Sequence, residues 1–403
     1  MEIGVAFIIG LLGSLLLTPF AIEVAAMMCI LDKGDGVRKF QKKPVPAMGG
    51  IAVLGALIAS GVYASLFSYS SNDLRQLGGM ALSIMTMCVL GLFDDRIQFR
   101  ARTKLLGQIL IVLPTIHMVG PIETLVIFGQ HLSLGLLAYP LTILWFLAII
   151  NAMNLIDGMD GLASGIGMIS ALGMAFVSAT HFQSVPFVAT IALAGTLCGF
   201  LLFNLPPAKI YLGDNGSMSI GLILATVSIR MSSEPGIFYV SPALLCLFLP
   251  LYDTMLAVVR RSLTSRPIGE GDNKHMHHRL QQSGYTVWQS LRILLSLHLL
   301  FVTLGCFSVL RHFEWVVWLT ALFAIYRSAR YKLIGHHEWR LGYVFVVMKL
   351  LPRFQKLCGI PPAQDIEEDG ADRYAQGKGE EILPLQQAGY DGSNDESTRR
   401  RVA

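Results

Sequence analysis

Long apolar runs separated by short polar connections recur along most of this 403-residue chain, and no other feature constrains its fold as tightly. The first run extends to about residue 31. Others follow near 47–69, 77–93, 105–119, 136–151, 161–180, 187–203, 215–232, 238–259, 287–310 and 313–328. A bilayer core takes roughly 20 apolar residues of helix, so these runs predict an all-α polytopic integral membrane protein with about eleven transmembrane helices. Composition agrees: 14% of the residues are charged, against about 25% in an ordinary soluble domain. A soluble globule, a disordered chain and a fibrous chain are excluded. Met1-Glu2-Ile3 lacks a basic n-region, so the first run is expected to stay as a span.

The loop charges predict an orientation. Lys33, Arg38, Lys39, Lys42 and Lys43 follow the first span, and Arg96, Arg100, Arg102 and Lys104 follow the third. Arg260, Arg261, Arg266, Lys274 and Arg279 follow the ninth, whereas the alternate loops hold little beyond Arg75 and Arg311. Basic loops stay in the cytoplasm, so the N-terminus is expected outside and the C-terminus inside. The body of the chain holds 26 bases and 17 acids, and this excess follows from the same rule without any nucleic-acid partner. On the outer side, two β-prone runs in 123–134 flank Gly129-Gln130 and predict a short type II′ hairpin. Residues 341–351 are too short to span and predict an interfacial helix. The expected domains are a transmembrane unit over 1–358 and a disordered cytoplasmic tail over 359–403, where ten acids accompany five bases. The six cysteines form no CxxC pair and read as reduced packing residues.

Acids are scarce in the body, so their positions are informative. Asp94-Asp95, Asp157, Asp160 and Asp214 fall at cytoplasmic ends of the expected spans, and Asp253 falls inside one. Ionisable groups at membrane depth are costly and are usually paired or functional. In GLFDDR, adjacent carboxylates repel, which a divalent cation, a cationic substrate group or Arg96 would relieve. In NAMNLIDGMDG, the residues Asn151, Asn154, Asp157 and Asp160 recur every three positions, a spacing that places neighbours on one helical face. Oxygen-bearing side chains beside Gly158 and Gly161 suit Mg²⁺ and a diphosphate. In NLPPAKIYLGDNGS, Asp214 is a candidate metal ligand, and free N–H groups near Gly216 and Ser217 form a candidate phosphate site at a helix start. A plain N-cap is the other reading there. His275, His277 and His278, flanked by Lys274 and Arg279, suit a metal, an anion clamp or a solvated basic loop.

Together these segments, with KKPVPAMGG after the first span and HMHHRL in the last long loop, resemble the polyprenyl-phosphate N-acetylhexosamine-1-phosphate transferases, glycosyltransferase family 4. The resemblance covers about residues 1–330. It implies an eleven-span inner-membrane enzyme with a cytoplasmic, Mg²⁺-dependent site, in which Mn²⁺ can substitute. Such an enzyme transfers a sugar-1-phosphate from a UDP-sugar to undecaprenyl or another polyprenyl phosphate and releases UMP. His-Met-His-His is closer to the bacterial branch that uses UDP-GlcNAc than to the phospho-MurNAc-pentapeptide branch, which looks like HHHFE there. The resemblance implies Asp214 and Asn154 as metal ligands, and Asp94 and Asp95 near the lipid phosphate. It puts Asn151, Asp157 and Asp160 on the nucleotide side, with Asn204 on uracil and Tyr211 stacked on it. It gives His275, His277, His278 and Arg279 to the diphosphate or sugar, and Lys42 or Lys43 to the nucleotide. The expected partners are the UDP-sugar, the lipid acceptor, membrane lipids and a second copy of the chain.

A phosphate monoester has a second pKa near 6, so the acceptor is already nucleophilic at neutral pH. The chemistry expected is in-line attack on the β-phosphorus, with Asp94 or Asp95 taking any residual proton. An aspartyl-phosphosugar intermediate is the competing route. Two other classes use similar features. A His-box metalloenzyme would need more clustered histidines, and a secondary transporter would carry its acids at the midplane.

Overall fold

The computed structural model describes residues 2–28, 30–32, 44–66, 71–232, 234–263, 275–309 and 314–330. Lys42, Lys43, the segment 341–351 and the tail over 359–403 lie outside the described residues. The chain is mostly helical, and it is a multi-pass membrane protein. In order come α1 (Glu2–Met27), the strand pair β1 (Leu31–Asp32) and β2 (Val45–Pro46), then α2 (Gly49–Ser65), α3 (Ser71–Ile97) and α4 (Ala101–Val119). Next are β3 (Thr124–Ile127), β4 (Gln130–Ser133), α5 (Ala138–Ile156), α6 (Leu162–Thr180), α7 (Ser184–Asn204) and α8 (Gly213–Arg230). The remainder is β5 (Ile237–Tyr239), α9 (Val240–Cys246), α10 (Phe248–Leu263), α11 (Met276–Gln282), α12 (Val287–Ser308) and α13 (Glu314–Arg330).

Among the described residues, six helical segments are long and apolar enough to cross a membrane: Gly4–Met27, Asp73–Ile97, Gly135–Ile156, Leu162–Thr180, Ser184–Asn204 and Val287–Ser308. The pair α9 and α10, bent by 80° at its break, would add a seventh, and Gly49–Ser65 is a shorter apolar helix. The expected spans near 105–119, 215–232 and 313–328 are helical as α4, α8 and α13, but do not reach that standard.

For α8 the packing shows why lipid hydropathy is a poor guide. Every residue from Asn215 to Ile229 is buried, so this helix meets protein on all sides. Three of its hydroxyls donate within the helix: Ser219 to the Asn215 carbonyl at 2.6 Å, Thr226 to the Leu222 carbonyl at 2.8 Å and Ser228 to the Ala225 carbonyl at 2.7 Å. Small residues let neighbouring backbones approach. A Cβ added at Gly91 of α3 would lie 2.3 Å from the Asn215 Cα, so only glycine permits this crossing. That contact brings the end of α3 against the start of α8.

The β-hairpin forms, but one residue earlier than the sequence suggests. Ile127 pairs with Gln130, so the turn residues are Phe128 and Gly129, and both have positive φ (49° and 75°). Positive φ at both centres is the type I′ pattern, and the expected type II′ turn at Gly129-Gln130 is corrected. Phe128 accepts this backbone while its ring stacks on Trp315 at 4.0 Å. β5 joins β3 in parallel, Leu125 opposite Phe238, and makes a three-stranded sheet that the sequence reading did not foresee. Among the described residues Cys88, Cys198, Cys246 and Cys306 are free thiols.

Candidate active site

The acids that the sequence singles out meet at one end of the helix bundle. Asp94 and Asp95 lie in the last turn of α3, Asn154 in the last turn of α5, and Asp214 in the first turn of α8. Lys104, in the first turn of α4, lies among them. Its Nζ is 2.7 Å from Asp94 Oδ2 and 2.6 Å from Asp214 Oδ2, and it donates to Asn154 Oδ1 at 2.9 Å. Asn154 Nδ2 donates to the other Asp214 oxygen at 2.8 Å and to Ser217 Oγ at 3.1 Å. Three oxygens on three helices thus converge on one cationic point. A cation, a cationic substrate group or Arg96 was expected to relieve the Asp94–Asp95 pair; Arg96 is exposed, and it is Lys104 that pairs with Asp94.

Lys104 is the residue that sequence reading missed. It reads as one more base flanking a span, yet Gln108 stands one turn further along α4 and faces the same way. Gln108 is fully buried, and its side-chain amide donates to Asn151 Oδ1 at 3.3 Å and accepts from Asn151 Nδ2 at 2.8 Å. A Lys and a Gln four residues apart on one side of a largely apolar helix is the signal that marks this face.

Asp95 has a different task from its neighbour. Its carboxylate accepts from the backbone N–H of Asp214 (2.9 Å) and of Asn215 (3.2 Å) and from Asn215 Nδ2 (2.7 Å). It caps α8 from another helix and satisfies donors that every helix start leaves open. Gly50 of α2 closes the rest: a Cβ there would lie 2.3 Å from the Gly216 nitrogen. The phosphate site expected from free N–H groups near Gly216 and Ser217 is therefore corrected, because α3 and α2 cover that helix start.

The three-residue recurrence also divides. Asn151 and Asn154 are helical, but α5 ends at Ile156, with Asp157 following at φ −75° and ψ 43°. Asp157 and Asp160 lie in the turn that Gly161 closes at φ 74°. With Gly158, Met159, Asn204, Tyr211, Asp95, Asp214, Asp32 and Ala47 they line a cavity of about 180 Å³. A larger cavity of about 840 Å³ adjoins it through the shared residues Asp32, Ala47, Asp95 and Asp214, and is lined also by Asp94, Lys104, Arg96, Gln98 and Phe99.

Asn204 at the end of α7 is 3% exposed. Its Oδ1 accepts from Gly161 N (3.2 Å) and Ser164 Oγ (2.6 Å), and its Nδ2 donates to the Ile210 carbonyl (2.9 Å). It holds the 157–161 turn to the 205–212 loop. Asp160 Oδ2 adds a bond from Ala208 N at 2.9 Å, and burial raises its carboxyl above the ordinary carboxylate range. Tyr211 is fixed by its backbone, which donates to the Pro46 carbonyl at 2.8 Å and accepts from Gly49 N at 2.9 Å, while burial raises its phenol.

The histidine segment reaches the same place. His277 Nε2 is 2.6 Å from where a Gly158 Cβ would stand, so α11 packs directly on the acidic turn. His277 is 2% exposed, and neither ring nitrogen has a hydrogen-bond partner among the described residues. Burial and the neighbouring His278 hold its pKa down to about 3. The His277 and His278 rings are 4.1 Å apart, and His275 stands 6.0 Å from His277 with nearly parallel planes. Arg279 lies half-buried in the same turn.

Among the described residues no group of three or more His, Cys, Asp or Glu side chains is placed to hold a metal ion. The oxygens that meet at Lys104 are two carboxylates and an amide, a donor set suited to a hard cation.

The model of glycosyl transferase family 4 matches residues 77–232. A relative in Bacillus subtilis (strain 168), named "Probable undecaprenyl-phosphate N-acetylglucosaminyl 1-phosphate transferase", is 31% identical over 301 residues, covering 73% of this chain and 81% of its own. The decaprenyl-phosphate N-acetylglucosaminephosphotransferase of Mycobacterium tuberculosis (strain ATCC 25618 / H37Rv) is 34% identical over 276 residues, 60% of this chain and 67% of its own. The phospho-N-acetylmuramoyl-pentapeptide-transferase of Streptococcus equi subsp. equi (strain 4047) is 31% identical over 271 residues, 62% and 78%.

Proposed function

Because this chain belongs to glycosyl transferase family 4, we propose that it transfers N-acetylglucosamine 1-phosphate from UDP-GlcNAc to undecaprenyl phosphate and releases UMP. The observation that carries the reading is the convergence of Asp94, Asp214 and Asn154 oxygens on one cationic point beside the 840 Å³ cavity. The names of the Bacillus and Mycobacterium relatives support the GlcNAc donor and the polyprenyl acceptor.

Asp214, Asp94 and Asn154 are the residues that would hold Mg²⁺, with Lys104 displaced toward the substrates. Held there, the cation would supply charge that neutralises the diphosphate and stabilises the leaving UMP. Lys104 then supplies a second positive charge at the meeting point of two anionic substrates. The acceptor phosphate attacks the β-phosphorus in line, and the bond to the UMP oxygen breaks. The acceptor is largely dianionic at pH 7, so a proton acceptor is scarcely needed. Asp95 serves by fixing the start of α8. The Asp157–Asp160 turn and Tyr211 form the nucleotide side, and His277, neutral and without a hydrogen-bond partner among the described residues, offers an N–H to the diphosphate.

The topology proposed has eleven spans in the inner membrane, the N-terminus outside, and the acid-bearing helix ends in the cytoplasm. The placement of bases on alternate loops supports it. UMP release by the purified protein, with undecaprenyl phosphate and either UDP-GlcNAc or UDP-MurNAc-pentapeptide, with and without Mg²⁺, tests the proposal. Mg²⁺-dependent release with UDP-GlcNAc is expected. Release with the pentapeptide donor alone would refute the donor assignment, and release unaffected by chelation would refute the metal.

A further inference from the structure

Asp253 stands apart from the residues assigned so far. It lies in α10, is 3% exposed, and faces the start of α11 across an interval of the chain. Both its oxygens are used. Oδ2 accepts from His275 Nδ1 at 2.8 Å, and Oδ1 accepts from the Met276 backbone N–H at 3.0 Å. His275 is itself 4% exposed. Removing a carboxylate and an imidazole from water is expensive, and the pair stands only because each satisfies the other.

The geometry has two consequences. A carboxylate accepts only, so His275 must carry its hydrogen on Nδ1, and Nε2 is left with the lone pair in the neutral ring. The second oxygen, on Met276 N, fixes the backbone at the first turn of α11. From that turn His277 reaches Gly158 of the acidic loop, where even a methyl group would collide. We propose that Asp253 is a positioning residue of the transfer reaction, which sets the His275 tautomer and seats α11 so that His277 closes the donor side of the site. The assignment rests on the reading of α11 as a wall of the donor site. It explains an acid inside an apolar helix through the histidines it serves.

The test uses the full chain in detergent. Histidine ¹⁵N shifts, assigned with His275→Gln, report the ring tautomer. Steady-state kinetics report kcat and KM for each substrate. In the wild type His275 is expected as the Nδ1–H form, and Asp253→Asn should lose that form. Carboxylate partners that orient histidines in metal sites are typically worth about tenfold to a hundredfold, which sets the scale here. Asp253→Asn should therefore lower kcat/KM for UDP-GlcNAc by about tenfold or more, with KM for the lipid acceptor within twofold and the thermal midpoint near wild type. Asp253→Asn/His275→Gln should lose no more than the worse single variant, since paired residues act as one unit. An unchanged tautomer, donor kcat/KM within twofold of wild type, or additive losses would overturn the proposal. So would equal damage to both substrates in step with loss of folded protein. If the wild type turns over no UDP-sugar, the functional reading fails, while the tautomer measurement still decides the pairing.

Discussion

Replacing Lys104 by Met separates the two roles given to that side chain. The ammonium lies 2.6 Å from Asp214 and 2.7 Å from Asp94, so the two carboxylate oxygens are at most about 5.3 Å apart. Two like charges at that distance repel by about 3 kcal/mol at an effective dielectric near 20. In the wild type Lys104 cancels this repulsion, and an incoming divalent cation must displace it. In Lys104→Met the repulsion stands until a cation arrives, so the site should bind one more tightly. Every 1.4 kcal/mol is a factor of ten. The gain is therefore expected at about tenfold to a hundredfold, the lower figure allowing for water that enters beside Met. Mn²⁺ titration followed by electron paramagnetic resonance, without any substrate, measures it directly. Turnover should fall sharply at the same time, because a charge is lost where two anions meet. Mn²⁺ affinity that is unchanged or weaker in a folded Lys104→Met protein would refute the reasoning, since Lys104 would then not occupy the cation's place.

Three further outcomes follow from packing and titration. His277 titrates near 3 when folded and near 6.5 when unfolded, so between those values the unfolded chain binds more protons and acid destabilises the fold. Its share of stability is complete above pH 6.5; about 2 kcal/mol is lost by pH 5, and His277→Gln should show a correspondingly smaller fall in thermal midpoint between pH 7.5 and 5; equal falls in both proteins would sink the assignment. Gly91→Ala puts a methyl group against the Asn215 backbone and should cost about 1–3 kcal/mol, read as a lowered midpoint together with weaker turnover. Asn204→Ala removes three hydrogen bonds worth about 1 kcal/mol each; it should lower the midpoint and raise KM for the donor, and a stable variant that instead accepts other nucleotide bases would return Asn204 to uracil recognition.

The helical membrane fold was legible because lipid imposes one rule on every span, and the apolar runs obey it. The enclosed helix α8 was legible as an apolar run, but its burial by protein on every side was not, and Asp214, Asn215 and Arg230 at its ends keep it below a lipid standard. Asp94, Asp214 and Asn154 were legible as a group because acids and amides are rare in such a chain. The partition between Asp94 and Asp95 was not: adjacent residues on a helix point apart, and only the crossing at Gly91 decides which one meets α8. The three-residue period was misleading past Ile156 because a spacing does not say where a helix ends. Phe128 is not a residue that the turn would select by itself. Its place follows from strand register and from Trp315, both distant in sequence.

The enclosure of α8 bears on how a site of this kind can change. Asp214 begins a helix that is buried from Asn215 to Ile229, and Asp95 and Gly50 cover its start. Any variation there must be matched at once by several neighbours. The opposite wall is a short helix, held by Asp253, by the contact at Gly158 and by the buried Met276 and Leu280, with His278 and Arg279 less deeply buried. In the proposed enzyme the phosphate-handling floor is thus conservative by construction, and a lineage that comes to accept another sugar would vary the wall first.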